Sequence, residues 1–149
     1  MDRTGIRIRR ARRSDAERIA QLSAELGYPA AAAQVATRLR QLTPASKHAV
    51  FVAESSDAAM GLIGWVHVSV SHLLESDMRA EVNGLIVAEG QRSAGAGAKL
   101  LEAAEEWARR RSCRGMNVRS NVIRERARKF YERNGYEHYK TQKAFRKAL

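Results

Sequence analysis

The sequence predicts an α/β fold, and three observations carry that prediction. Residues Leu85 to Leu101 pass from a short apolar run through a basic, glycine-rich turn into a helical pattern. After the turn, Gly97, Leu100, Leu101, Ala104, Trp107 and Ala108 recur at helical spacing as one apolar stripe. Glu102, Glu105, Glu106, Arg109 and Arg110 fall off it, the pattern of a helix packed on a sheet. Other apolar runs, Ala49 to Ala53 and Leu62 to Val70, have the length of strands. With 149 residues, 44% of them apolar, and no repeat, low-complexity stretch or Pro/Gly/Ser-rich linker, the chain suits one core, a single domain over 1–149.

The elements follow in order. Ser14 and Glu17 have the spacing of a capping box at the start of a first helix. Ile19, Leu22 and Leu26 mark that helix, and Gly27-Tyr28-Pro29 breaks it. Val35, Leu39 and Leu42 mark a second helix that ends near Thr43-Pro44. The two apolar runs then give strands, with Gly61 and Gly64 nearby, and Arg79 to Ala88 gives a third that leads into the glycine-rich turn. Gly115 to Ser120 is strand-like, Ile123, Ala127, Phe130 and Tyr131 share a helical face that Gly135 closes, and Tyr136 to Leu149 has room for two further strands.

The turn has the composition of a phosphate cradle. Gly95 and Gly97 remove two Cβ atoms where backbone must approach a ligand, the helix that follows turns its first N–H groups and positive dipole end toward an anion, and Arg92 adds a cation. A P-loop is excluded, because Ala96 and Gly97 stand where Lys and Ser/Thr are required after Gly90 and Gly95, and no G-x-G-x-x-G occurs. What remains, Arg92-Ser93-Ala94-Gly95-Ala96-Gly97, resembles the pyrophosphate-binding R/Q-x-x-G-x-G/A motif of the GNAT superfamily of N-acetyltransferases. About thirty residues later, Ala127-Arg128-Lys129-Phe130-Tyr131-Glu132-Arg133-Asn134-Gly135-Tyr136 resembles that family's A-x-x-F-Y-E-x-x-G-Y/F segment. Ile6 to Ala11 also resembles its first strand.

The resemblance covers nearly the whole chain and implies a mixed, mostly antiparallel sheet with helices on both faces. It implies that the sheet is splayed between the Arg79 to Ala88 and Gly115 to Ser120 strands around acetyl-CoA. Cofactor contacts would come from Leu85, Ile86, Val87, Gln91, Arg92, Ser93, Ala94, Gly95, Ala96, Gly97, Asn121 and Phe130. Tyr131 occupies the family's general-acid position, and the Val87 N–H would polarise the thioester carbonyl. Two departures stand out: Arg124 occupies a place where many members carry Asn, and Glu89-Gly90 replaces the usual proline before the cradle.

An ammonium must lose a proton before it attacks a thioester, so a base or ordered water is required. Glu81 is the candidate base, since its spacing to the glycine motif resembles that of the catalytic Glu in the histone-modifying branch of the family. The structural alternatives are a surface pair of Glu81 with Arg79 and a core aromatic role for Tyr131.

The net charge of +11 is unevenly placed. Residues 1–47 carry ten Lys/Arg against four Asp/Glu, residues 48–90 one against six, and residues 91–149 sixteen against six. The basic last third suits an anionic cofactor, while Glu75, Asp77 and Glu81 in the acidic middle would attract a cationic amine. The reading is therefore an acetyl-CoA-dependent N-acetyltransferase acting on a primary amine of a small, aminoglycoside- or polyamine-like molecule. The alternatives are a lysine or N-terminal protein acetyltransferase and a non-catalytic acyl-CoA-sensing or nucleic-acid-binding module. Nucleic acid is disfavoured because the Arg residues are not interleaved with aromatics. No signal-peptide or membrane-span pattern occurs, so a cytoplasmic enzyme is expected, and the resemblance adds a homodimer. Cys113 reads as a small filler, and His48, His67, His72 and His138 lack metal-site spacing, so no metal is expected.

Overall fold

A computed structural model describes residues 5–25, 27–42, 46–92, 94–120 and 124–149. In chain order the elements are β1 (Ile6–Arg10), a 3-10 turn (Arg13–Asp15), α1 (Ala16–Glu25), α2 (Ala32–Gln41), β2 (His48–Ser55), β3 (Leu62–Ser71) and β4 (Arg79–Val87). A second 3-10 turn (Glu89–Gln91), α3 (Ala96–Arg110), β5 (Met116–Val118) and α4 (Glu125–Arg133) follow. Two compact units result, Met1–Val118 and Arg119–Leu149.

The first unit is built on one open sheet in the order β1-β2-β3-β4-β5. The first four strands pair antiparallel, β1 with β2 across the intervening α1 and α2 and β2, β3 and β4 as successive hairpins, and β5 lies parallel to β4 after the α3 crossover. The fold is thus the mixed, mostly antiparallel α/β architecture that the sequence predicts.

Strand alternation separates the two faces of this sheet. Ala53, Gly64 and Val87 share one cross-strand row, and a Cβ on Gly64 would lie 3.1 Å from Leu100 Cδ1, so α3 covers this face. Every member of the α3 stripe, from Gly97 to Ala108, is buried. Val52, Trp65 and Ile86 form a row on the opposite face. There Val52 clusters with Ala16, Ile19, Ala20 and Val35 of α1 and α2, while Ile86 packs with Leu22. Leu22, Leu100 and Leu101 are almost fully enclosed, each contributing about 1.5–3 kcal/mol of apolar burial.

Three sequence expectations are corrected. The entry to α1 is closed by Asp15 rather than by a Ser14–Glu17 box. The Asp15 carboxylate accepts the Arg12 N–H at 2.7 Å and is gripped by Arg9 at 2.9 and 3.0 Å. Its short side chain reaches back three residues, and the buried ion pair holds it there, below the usual carboxylate range. Burial alone would raise it, but the hydrogen bonds from Arg9 and Arg12 outweigh that effect. Next, β5 spans three residues rather than six, and Thr43-Pro44 lies outside the described residues. Finally, 136–149 contains no strand: past Tyr136 all of it is exposed, including Tyr139, Phe145 and Leu149. Its few apolar residues are scattered among Lys and Arg and give no continuous face to bury against a ladder.

Candidate active site

The site begins with an irregularity in β4. Val68 faces Val82 while His67 faces Gly84, so Asn83 is an extra residue, a β-bulge. Its amide donates to Ser69 Oγ at 2.7 Å. The bulge shifts the hydrogen-bonding phase of the strand. Before it, the Ala80 N–H donates toward β5, to Gly115 O at 2.9 Å. After it, the Ala88 N–H donates the other way, to Ile63 O at 2.7 Å. Were Asn83 paired in a regular ladder, two even-numbered positions would point to the same side. Alternation therefore turns the N–H and C=O groups of Leu85 and Val87 toward the β5 edge. Among the described residues, the β4–β5 ladder ends at Val82↔Val118, and β4 continues past it. This is the splay that the resemblance implies.

The cradle follows directly. Gln91 closes the 3-10 turn with its N–H on Ala88 O at 2.9 Å, and Arg92 folds back so that its Nε donates to Val87 O at 3.4 Å. Gly95 caps α3 in the left-handed region, φ +88°, which a side chain rarely adopts. The Lys99 N–H donates to Gly95 O at 3.2 Å as the first helical bond, so the N–H groups of Ala96, Gly97 and Ala98 precede the ladder and point out of the helix start. Ala96 and Gly97 are buried without bulky side chains, while Ala94 is exposed. The residues therefore fit an anionic pyrophosphate: three directed N–H groups, a dipole end and the Arg92 guanidinium. Glu81, Leu85, Ile86, Val87, Gln91, Arg92 and Gly95 to Gly97 follow one another along β4, the 3-10 turn and the start of α3. Ile86 contributes backbone only, since its side chain belongs to the Leu22 cluster. Ser93 and Asn121 lie outside the described residues.

Glu81 sits three strands into a cross-strand row, His48↔Ser69↔Glu81↔Asn117, on the face that α1 and α2 cover at its other end. Arg79 Nε donates to Asn117 Oδ1 at 3.0 Å, so its guanidinium is engaged across β5. His48 and His67, weighed in the sequence only as metal ligands, are a stacked pair with Nδ1···Nε2 at 3.1 Å. Burial, then the neighbouring His48, pushes His67 down to about 4, so it is neutral at physiological pH. No spacing rule could have paired two histidines nineteen residues apart without the strand register.

In the second unit, Ala127, Phe130 and Tyr131 are the half-buried positions of α4, three of the four residues expected to share a face, and the fourth, Ile123, lies outside the described residues. Tyr131 meets Phe130 and Tyr136 edge to face, with ring centroids at 5.2 and 5.8 Å. Gly135 takes φ +91°, and the Tyr136 N–H returns to Tyr131 O at 3.0 Å, closing the helix as predicted. Burial pushes the Tyr131 phenol up, so it keeps its proton at neutral pH.

Residues 11–136 match the acetyltransferase (GNAT) family, and the chain belongs to that family, an acetyl-CoA-dependent class of N-acetyltransferases. The match spans both units. Among solved structures, the chain is similar to the aminoglycoside N-acetyltransferase AAC(6')-Iy in complex with CoA, with a TM-score of 0.83, 20% identity, and 97% of this chain and 95% of that one covered. It is similar to the aminoglycoside 6'-N-acetyltransferase AAC(6')-Ih from Acinetobacter baumannii (TM-score 0.82, 16% identity, 97% and 99% covered). The glucosamine-6-phosphate N-acetyltransferase from Arabidopsis thaliana is equally similar (TM-score 0.82, 16% identity, 95% and 97% covered). At these identities the likeness establishes the fold. The comparison with curated proteins found no match.

Proposed function

We propose that residues 1–149 act as one GNAT domain in the cytoplasm and move an acetyl group from acetyl-CoA to a primary amine of a small molecule, by direct attack in a ternary complex. The observation that carries this reading is the bulge at Asn83, which turns the Val87 N–H toward the open β4 edge directly before the Gly95-capped cradle. Arg92 and the N–H groups of Ala96 to Ala98 hold the pyrophosphate of the cosubstrate, which supplies the activated acetyl group. The Val87 N–H donates to the thioester oxygen, where charge develops. Glu81 takes the proton of the attacking amine, and Tyr131, kept protonated by burial, donates to the departing sulfur. Phe130 supports Tyr131 from its edge.

The small-molecule acceptor is supported by the neighbours, two acting on aminoglycosides and one on glucosamine 6-phosphate. These represent opposite charges. An aminoglycoside- or polyamine-like acceptor draws support from Glu75 and Asp77, both exposed on the β3–β4 hairpin. A phosphorylated amine draws support from the arginines considered below. A thiol-release assay with acetyl-CoA across aminoglycosides, polyamines, amino sugars, amino acids and lysine peptides tests the reading. Calorimetry that shows no affinity for CoA or acetyl-CoA up to millimolar concentration would overturn it.

A further inference from the structure

The strongest unassigned feature is a cavity of about 320 Å³ where the end of β1, the loop after it, the C-terminal end of α2 and the start of β2 meet. Arg10, Arg12, Arg13, Arg40 and His48 contribute to its lining, and no described lining residue is a carboxylate. The nearest acid in sequence, Asp15, is committed to Arg9 and the Arg12 N–H. The Arg10 guanidinium lies on the opposite, α3 face of the sheet, over the Phe51 ring at 5.2 Å, where burial and then the like charge of Arg111 hold it below its ordinary pKa, so it does not enter the count of cations at the cavity. Arg12, Arg13 and Arg40 around one concavity, with no acid among its described lining residues, repel each other and favour an anion.

The register shows what such an anion would be attached to. His48 lines the cavity and heads the row His48↔Ser69↔Glu81 on the same face of the sheet. Leu39, also in the lining, packs into the cluster on that face. Two inter-strand steps separate β2 from β4, so the cavity mouth and the Glu81 position stand roughly 10 Å apart. That is the length of a small amine bearing a phosphate at its far end.

From this geometry we infer that the acceptor is an amine carrying an anionic group, phosphate or carboxylate, which the arginine-lined cavity anchors while the amine reaches Glu81 across Ser69 and the His48–His67 pair. The inference deepens the proposed acetyl transfer and rests on it. Guanidinium groups match phosphate oxygens bidentately, whereas a polycation would meet like charge at this end. The neutral His67 adds no positive charge beside the ammonium's path.

The test compares amines in pairs that differ only in the anionic group and are long enough to span the gap: glucosamine with glucosamine 6-phosphate, and 5-aminopentanol with 5-aminopentyl phosphate, alongside spermidine and kanamycin. Each is measured by thiol release with acetyl-CoA and by direct calorimetry without it. Expected is at least a tenfold higher kcat/KM for the phosphorylated member, falling as ionic strength rises. The double variant R12Q/R13Q, both positions exposed, should raise KM for that member at least tenfold with far less change in kcat. Binding of the phosphorylated amine, lost in R12Q/R13Q but without turnover, would uphold the anion site and refute the acetyl-transfer reading. Equal use of both members, preference for spermidine or kanamycin, or an R12Q/R13Q double variant that binds like the parent would overturn the inference while CoA binding left the family reading intact.

Discussion

His67 gives the most quantitative prediction. Its imidazole lies in β3 against His48 and is displaced from 6.5 to about 4 by burial and by that neighbour. The folded protein therefore binds fewer protons than the unfolded chain between these two values, so stability falls as pH falls through that window and levels off below it. Full linkage for a displacement of this size is ~3.4 kcal/mol, of which about 2 kcal/mol is already lost by pH 5. The ring is only partly buried, so solvent screening reduces the expected loss to ~1–1.5 kcal/mol. His67→Gln keeps a hydrogen-bonding group toward His48 Nδ1 and removes the titration. Urea unfolding of parent and variant at about pH 7.5 and about pH 5 isolates the effect, since carboxylates common to both cancel. The parent should lose ~1–1.5 kcal/mol more than H67Q over this interval. Equal losses in the two proteins would refute the argument that this pair resists protonation.

The remaining predictions concern the site. Arg92→Ala should weaken acetyl-CoA binding, measured by calorimetry, and the part lost should be the salt-sensitive part of the parent's affinity. Gly95→Val forces a β-branched residue to φ +88° and should cost stability of order 1–2 kcal/mol as well as cofactor affinity, while a variant that binds acetyl-CoA normally would remove the cap from the site. Gly84→Ala would place a Cβ 2.8 and 2.9 Å from Trp65 Cη2 and Cζ3, so the indole must move, with a loss of about 1–3 kcal/mol in urea and an altered Trp emission. Tyr131→Phe should fold and bind cofactor but turn over roughly ten- to ten-thousand-fold more slowly, and Glu81→Gln should displace the rising limb of the pH–rate curve. Parent-like rates in Y131F, or an unmoved limb in E81Q, would assign those proton transfers to solvent.

Much of this molecule is legible in the sequence because its strongest patterns are local. The α3 stripe is buried residue for residue, the left-handed glycine falls after α4 where expected, and the cradle needs only consecutive residues to be recognised. What the sequence hides depends on register. The bulge at Asn83 leaves no compositional mark beyond the following Gly84, yet it decides which backbone groups face the open edge. The His48–His67 pair and the arginine cavity join segments that only strand order brings together. The cap by Asp15 was missed for a different reason: Ser14 and Glu17 satisfy the spacing rule, but Arg9, six residues upstream, offers Asp15 a bidentate partner that a local rule does not weigh. The expected strands after Tyr136 failed because room in the chain is not an apolar face.

The bulge also explains why stability and chemistry share one residue in β4. Side chains and backbone groups alternate together, so a regular strand that took Asn83 into the ladder opposite His67 would reverse both beyond that point. Ile86 would leave the Leu22 cluster and turn toward α3, while the Val87 N–H would turn inward to β3 instead of outward. The core on the α1 face requires Ile86 inside, and the proposed chemistry requires the Val87 N–H at the open edge. A regular strand that kept the earlier pairing of Ala80 and Val82 with β5 could meet neither demand. Leaving Asn83 out of the ladder meets both at once, and in doing so it breaks the regular repeat that a β5 ladder would need along the full strand. The splay is therefore the structural consequence of keeping Ile86 buried as much as it is an opening for a ligand.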